Sequence, residues 1–276
     1  MYSSPEEIEA AVEAYRSHIS HHNRRIVEVY VSLLADAEPE EGDFEGDQDV
    51  NELRLEALDP IFDTRLGEFV STPGEILTRW DELCSVYDLD GTAGRPSEED
   101  AALCEEYFSH MEKALRGSCL EEVRGSISFP EEFRVLAKHV NCLTGPGLTE
   151  HKSRYQACFW LGPHAPPYME EYIAKRVKTP EWLDGNMDGG WEYAAGWQTG
   201  GGCEDYFYIV YCRRAARPDN GSPEPWAWRY VSNDAMDFGV FDTIPELLAW
   251  YSGYRESKVP DASSMTGYDI LMGDVI

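Results

Sequence analysis

Asp88-Leu89-Asp90-Gly91-Thr92 bears the spacing most suggestive of chemistry in this chain. In a D-x-D-G-T string the first carboxylate can attack phosphorus while the second manages the leaving-group proton beside Mg²⁺. That arrangement needs a buried parallel strand ahead of it. Thr72 to Tyr87 instead carries a helical stripe of Ile76, Leu77, Trp80, Leu83 and Cys84. The spacing therefore predicts a helix-terminating turn, with a Mg²⁺-dependent phosphatase using Asp88 and Asp90 as the alternative. As a calcium loop the same residues fail, since Val86 and Ser97 stand where acids are required. His18 and His22 lie four apart on a predicted helix, a metal-holding spacing, but the sequence offers no obvious carboxylate or cysteine partner and they read as surface histidines. His139 and Cys142 would make a base and nucleophile only with a third, orienting group, which Leu143-Thr144-Gly145-Pro146-Gly147 does not supply. Gly196, Gly200 and Gly201 would cradle a phosphate, yet Glu204 and Asp205 follow at once and would repel it. These glycines read as a tight turn between strands. No enzymatic activity, cofactor or metal is expected from these residues.

The elements that must position such groups begin with Ser4-Pro5-Glu6-Glu7, a capping box with proline at the first helical position; Ile8, Val12, Tyr15, Ile19 and Ile26 then keep helical spacing to about Leu34. Between Asp36 and Asp59 eleven acids face the single base Arg54, with Pro39, Gly42 and Gly46 interspersed, which predicts a mobile acidic linker. Further helices follow from Thr72-Pro73-Gly74-Glu75 and Ser97-Glu98-Glu99-Asp100, the latter with Cys104, Phe108, Met111 and Leu115 inward. Leu120 to Val123 adds a turn. Ser128-Phe129-Pro130-Glu131 opens a helix with Phe133, Leu136, Ala137 and Val140 inward.

From Tyr155 the composition shifts to β-branched and aromatic runs: YQACFWL, WEYAAGW, YFYIVYCR and WAWRYVS at 155–161, 191–197, 206–213 and 226–232. Tyr206 to Cys212 is apolar on both alternating faces, so that strand should be central and covered on both sides. The loop at 214–225, with Asp219-Asn220-Gly221, suits a long antiparallel connection. Thr243-Ile244-Pro245-Glu246 caps the last clear helix, and Arg255 to Ile276 either docks as an extended arm or stays loose. Helices, then strands, then a helix predict an α+β fold: a mostly antiparallel twisted sheet covered by helices, with an N-terminal helical extension.

The excess of 52 acidic over 23 basic side chains, a formal charge of −29, disfavours direct contact with nucleic acid or anionic lipid and favours basic protein surfaces. No apolar run approaches the roughly 20 residues that span a bilayer, and no targeting pattern opens the chain, so a cytoplasmic or nuclear location is expected. The seven cysteines form no C-x-x-C pair and read as reduced core thiols.

The segment LEEVRGSISFPEEFRVLAKHVN at 120–141 resembles the opening of SUKH domains, in which a helix, a short strand and Leu-Pro-acidic-acidic-aromatic lead into a helix. Phe129 stands for the usual leucine, Pro130-Glu131-Glu132-Phe133 keeps the rest, and Val140-Asn141-Cys142 lacks the family's frequent Asn-Gly. VSNDAMDFGVFDTIPELLAWY at 231–251 is similar to its later strands and terminal helix. The resemblance covers residues 98–254. It implies a non-enzymatic protein-binding domain, of the kind that neutralises toxins in bacteria and serves cell-wall regulation and signalling in fungi. The expected division is 1–97 as helical extension with linker 36–59, 98–256 as the SUKH-like domain, and 257–276 as a tail.

Carboxylates and large aromatics mix at predicted strand ends in the manner of interface hot spots: Asp184, Asp188, Trp191, Trp197, Glu204, Asp205, Asp234 and Asp237. They are the expected partner surface. The alternative is that both tryptophans are core and the acids merely solvated.

Overall fold

The computed structural model describes residues 2–39, 49–62, 64–94, 96–148, 158–160, 169–187, 190–201, 206–215, 224–233, 238–254 and 256–273. The chain forms two compact units, one of Ala14–Thr92, Gly145–Tyr155 and Ser252–Ile276, the other of Met1–Glu13, Ala93–Thr144 and Gln156–Tyr251. We call them the helical unit and the sheet unit.

Helix α1 (Pro5–Leu34) begins as the sequence predicts: Ser4 Oγ accepts from the Glu7 amide and the Glu7 carboxylate accepts from the Ser4 amide. From Ala14 onward it belongs to the helical unit, where Ile26, Val31 and Leu34 meet the buried side chains of α2 (Val50–Glu56) and α3 (Asp59–Phe62). This corrects the linker expectation. Leu53, Leu55, Leu58, Ile61 and Phe62 are buried while Glu52 and Glu56 face outward, so the acids occupy the wet side of packed helices. The lone base of the stretch is also used: Arg54 donates to Ala37 O from Nε and Nη2 at 3.0 and 2.7 Å. Residues 40–48 of the expected linker lie outside the described residues. The single helix expected over 72–87 is two, α4 (Pro73–Thr78) and α5 (Trp80–Tyr87), separated at Arg79, whose backbone (φ −106°, ψ 20°) leaves the helical region.

The chain passes through β1 (Thr92–Ala93) to α6 (Glu98–Ser118), α7 (Glu131–Leu136), β2 (Cys142–Leu143), β3 (Cys158–Trp160), α8 (Met169–Arg176), β4 (Val177–Lys178) and α9 (Pro180–Asn186). Then come β5 (Trp191–Gly201), β6 (Tyr206–Arg214), β7 (Ala227–Asn233), β8 (Phe238–Phe241) and α10 (Ile244–Tyr251). The sheet runs β1-β2-β3-β5-β6-β7-β8 with β4 also on β5, and every pair from β2 to β8 is antiparallel. The α+β expectation holds, and the strand at 206–213 is central, between β5 and β7. Its side chains alternate as the two-sided apolar pattern requires. Tyr208, Val210 and Cys212 join Tyr193, Val231 and Leu183 of α9 in one cluster. On the other side Phe207 meets Phe159 and Tyr251, and Trp197 sits among Phe129, Phe133 and Trp228 at 5.3 to 5.8 Å between ring centroids. Gly196 permits this packing, because a Cβ there would lie 2.9 Å from Ile209 O and 3.0 Å from Val210 Cγ1.

The C-terminal segment does not stay loose. Helix α11 (Gly267–Leu271), opened by a Thr266–Asp269 capping box, inserts Ile270 and Leu271 into the core of the helical unit. The division at 97 and 256 thus differs from the observed one: residues 1–13 pack with the sheet unit, and the segment after Tyr251 packs with the helical unit.

Candidate functional site

At the start of β5 the sheet unit carries a groove of about 290 Å³. Its floor and walls include Leu120, Pro180, Tyr193 and Trp226; its charged lining is Glu122, Glu181 of α9, Asp184 of α9, Glu192 of β5 and Arg213 of β6. Local sequence explains the placement. Thr179 caps α9, accepting from the Trp182 amide at 3.3 Å, with Pro180 at the first position; this sends Glu181 and Asp184 out on the solvent side while Leu183 is buried. The Leu120 amide donates to Ala194 O at 3.0 Å and fixes the segment bearing Glu122 against β5. Glu192 pairs with Arg213 Nε at 2.7 Å. Glu122, Glu181 and Asp184 have no ion-pair partner among the described residues and are exposed.

The expected surface residues therefore divide. Asp184 lines the groove. Trp197 is wholly buried and has no surface to offer; it is a centre of the aromatic core. Trp191 is 8% exposed, and its ring is already covered by the chain's own cations, Arg214 at 4.7 Å and Arg229 at 4.8 Å from the ring centre. Asp188, Glu204, Asp205, Asp234 and Asp237 lie outside the described residues. Composition alone missed Trp226, Glu192 and Arg213. A signal existed in the registry of β5 and β6, where Glu192 faces Arg213 across the ladder.

A buried carboxylate also went unforeseen. Glu132, the second acid of Pro130-Glu131-Glu132-Phe133, is 2% exposed and accepts from the Ser3 amide, the Tyr230 hydroxyl (3.1 Å) and the Ile244 amide (3.3 Å). It joins the N-terminal segment, β7 and the first turn of α10. Burial, then the neighbouring Glu132 charge, pushes the Tyr230 phenol well above its ordinary value. Every acceptor role of Glu132 seen here is structural.

Asp88 and Asp90 stand in a turn after a helix, not after a strand. Asp88 is the left-handed C-cap of α5 (φ 54°), and Asp90 Oδ1 accepts from the amide and hydroxyl of Thr92 at 3.1 and 2.6 Å. Gly91 (φ 78°) has no room for a Cβ, which would fall inside the Ile19 side chain. Its carbonyl accepts from the Tyr15 hydroxyl at 3.0 Å. This is turn chemistry throughout. His18 and His22 do find a carboxylate the sequence left unseen: Glu256 Oε1 lies 2.9 Å from His18 Nε2 and 3.3 Å from His22 Nδ1. His22 Nε2 is 2.7 Å from Ser257 O, so these contacts tie the C-terminal segment to α1. Among the described residues no group of three or more histidine, cysteine or acidic side chains is arranged to hold a metal ion.

The helical unit has a larger cavity, about 840 Å³, lined by Asp49, Glu52, Glu56, Asp59, Arg65 and Glu68 with others. Burial raises the Asp59 carboxyl above its usual value, partly offset by the Leu66 amide it accepts at 2.7 Å. Among the described residues that lining has no aromatic side chain, whereas the sheet-unit groove combines carboxylates with Trp226 and Tyr193. Among the described residues no helix is long and apolar enough to cross a membrane. No family model, curated protein or solved structure matches the chain.

Proposed function

We propose that the sheet unit is a SUKH-type interaction module without enzymatic activity, which binds a basic protein surface through the groove at the start of β5 in a regulatory or toxin-immunity role. The observation that carries this reading is the groove's composition: three exposed carboxylates without an ion-pair partner among the described residues, beside the half-buried Trp226. Such a surface attracts cations at long range and offers aromatic area on contact. The order of elements supports the family assignment. Phe129-Pro130-Glu131-Glu132-Phe133 leads into α7, antiparallel strands follow, and α10 opens on Thr243 Oγ1 accepting from the Glu246 amide. One departure counts against it, since the short strand expected before the Phe-Pro segment is irregular over residues 124–130. The turn geometry around Asp88 and Asp90 lends no support to the phosphatase alternative.

The test is capture from host lysate at low and high salt, with wild type beside Glu181→Lys/Asp184→Lys and the remote control Glu9→Lys/Glu13→Lys. The expected result is one basic protein retained by wild type and by the control, released at high salt, and lost from the groove variant. Retention by the groove variant would sink the reading.

A further inference from the structure

We propose that the groove seats an arginine side chain of its protein partner, and that Arg213 occupies this seat in the free chain. The inference rests on the partner-binding reading above and adds the identity of the recognised group. Arg213 already makes the contacts a guest arginine would make. Its guanidinium lies 4.2 Å from the centre of the Trp226 ring, and its Nε donates to Glu192 Oε2 at 2.7 Å. A planar guanidinium suits both at once, since its flat face covers an aromatic ring while its edge meets a carboxylate; an ammonium can touch both, as Lys178 touches Trp182 and Lys175 O, but it has neither the flat face nor the fork.

The lining is built for more than this one cation. Glu122, Glu181 and Asp184 remain after Glu192 is matched to Arg213, so the groove's lining holds four carboxylates to one arginine. Charge complementarity therefore favours a cationic guest. Exchanging one guanidinium for another leaves the stack intact and adds contacts to the unmatched acids.

Arg213 is also held loosely enough to leave. Its side chain is 22% exposed, and among the described residues Glu192 is its one polar partner. Arg229, on the adjacent strand, is the opposite case: 10% exposed, paired to Asp242 at 2.6 Å and donating to Cys212 O at 2.8 Å. A side chain that also bonds a backbone carbonyl leaves only by giving up that bond together with its ion pair. One held by an exposed acid and a ring face gives up less.

An internal occupant lowers apparent affinity by the fraction of time the seat is free. The probe is a capped glycine–serine peptide bearing arginines, compared with its lysine counterpart and titrated into the full chain by calorimetry. If Arg213 fills the seat about nine-tenths of the time, Arg213→Gln should bind the arginine peptide about tenfold tighter than wild type. Glu181→Gln/Asp184→Asn should bind it more weakly, and the lysine peptide should gain little from Arg213→Gln. Trp226→Phe, which keeps a ring and the packing, should weaken binding modestly.

Three results would overturn the proposal, and they differ in what else falls. If Arg213→Gln binds no tighter while Glu181→Gln/Asp184→Asn still weakens binding, the seat is refuted and the groove reading stands. If neither form binds either peptide up to concentrations on the order of millimolar, both fail. If Arg213→Gln instead dimerises in sedimentation and the dimer is lost with Trp226→Phe, the occupant is a second copy and not a partner protein.

Discussion

Two arginine–tryptophan–carboxylate clusters lie on neighbouring strands, and they differ in what the guanidinium does with its remaining donors. In the first, Arg229 of β7 covers Trp191, pairs with Asp242 and donates to Cys212 O, one strand away. In the second, Arg213 of β6 covers Trp226 and pairs with Glu192 on the opposite strand. The chemistry of ring and carboxylate is the same. The bond to backbone is what ties the first cluster into the sheet, because it adds a charge-assisted contact to a carbonyl of the adjacent strand that the second cluster lacks. A tryptophan beside a carboxylate is thus an unreliable sign of a binding site until the third contact of the cation is known.

The largest effect expected is on Arg229. Arg229→Ala should lower unfolding stability by about 2–3 kcal/mol, from the lost ion pair with Asp242, the lost charge-assisted bond to Cys212 O and an uncovered Trp191 face. The figure sits below that for a fully buried pair because the Asp242 side chain is 60% exposed and regains water. Urea denaturation would measure it, and a loss under about 0.5 kcal/mol would break the distinction between the clusters.

The same region sets a smaller, pH-dependent effect. Burial pushes the Cys212 thiol up to about 12, with the Arg229 charge acting against the rise. A group whose folded value lies above its unfolded value, about 8.5 for a thiol, binds its proton more tightly in the native state. Its stabilising contribution is complete below about pH 8.5 and is lost as pH rises toward 12. Tyr208, likewise raised to about 12 by burial and then by Tyr206, adds the same sign from about pH 10. Denaturant midpoints should fall steadily above pH 8.5, and Cys212→Ala should flatten the first part of that fall. A flat profile to pH 10 in wild type would contradict the assigned burial of the thiol.

Much of the scaffold was legible. Ser4 and Thr243 announced their helices because a capping side chain acts within one turn, and the two-sided apolar run at 206–212 identified the central strand because burial on both faces leaves no polar position. The linker reading over 36–59 failed because counting charge conceals a stripe: Leu53, Leu55, Leu58, Ile61 and Phe62 suffice to pack two short helices while the acids point outward. The interface expectation took Trp197 and passed over Trp226 for a related reason. Trp197 and Trp226 look alike in sequence, and their difference arises only from the registry of strands, which sets Trp197 against Phe129 and Phe133 and leaves Trp226 half-buried beside Arg213. Glu132 was unforeseeable for the same cause, since the amides of Ser3 and Ile244 that justify its burial come from opposite ends of the unit.

The smallest stability effect is the one that separates the two clusters most sharply. Arg213→Ala should cost no more than about 1 kcal/mol, because its partner Glu192 is 41% exposed and such a pair exchanges easily with water. A double-mutant cycle with Glu192→Ala should give a coupling of about 0.5 kcal/mol, within the range of exposed pairs. A cost near that of Arg229→Ala would mean that Arg213 is fixed in the fold and has no freedom to yield its place on Trp226. A small cost leaves the cluster stable without its arginine, which is the condition any exchange of one guanidinium for another must meet.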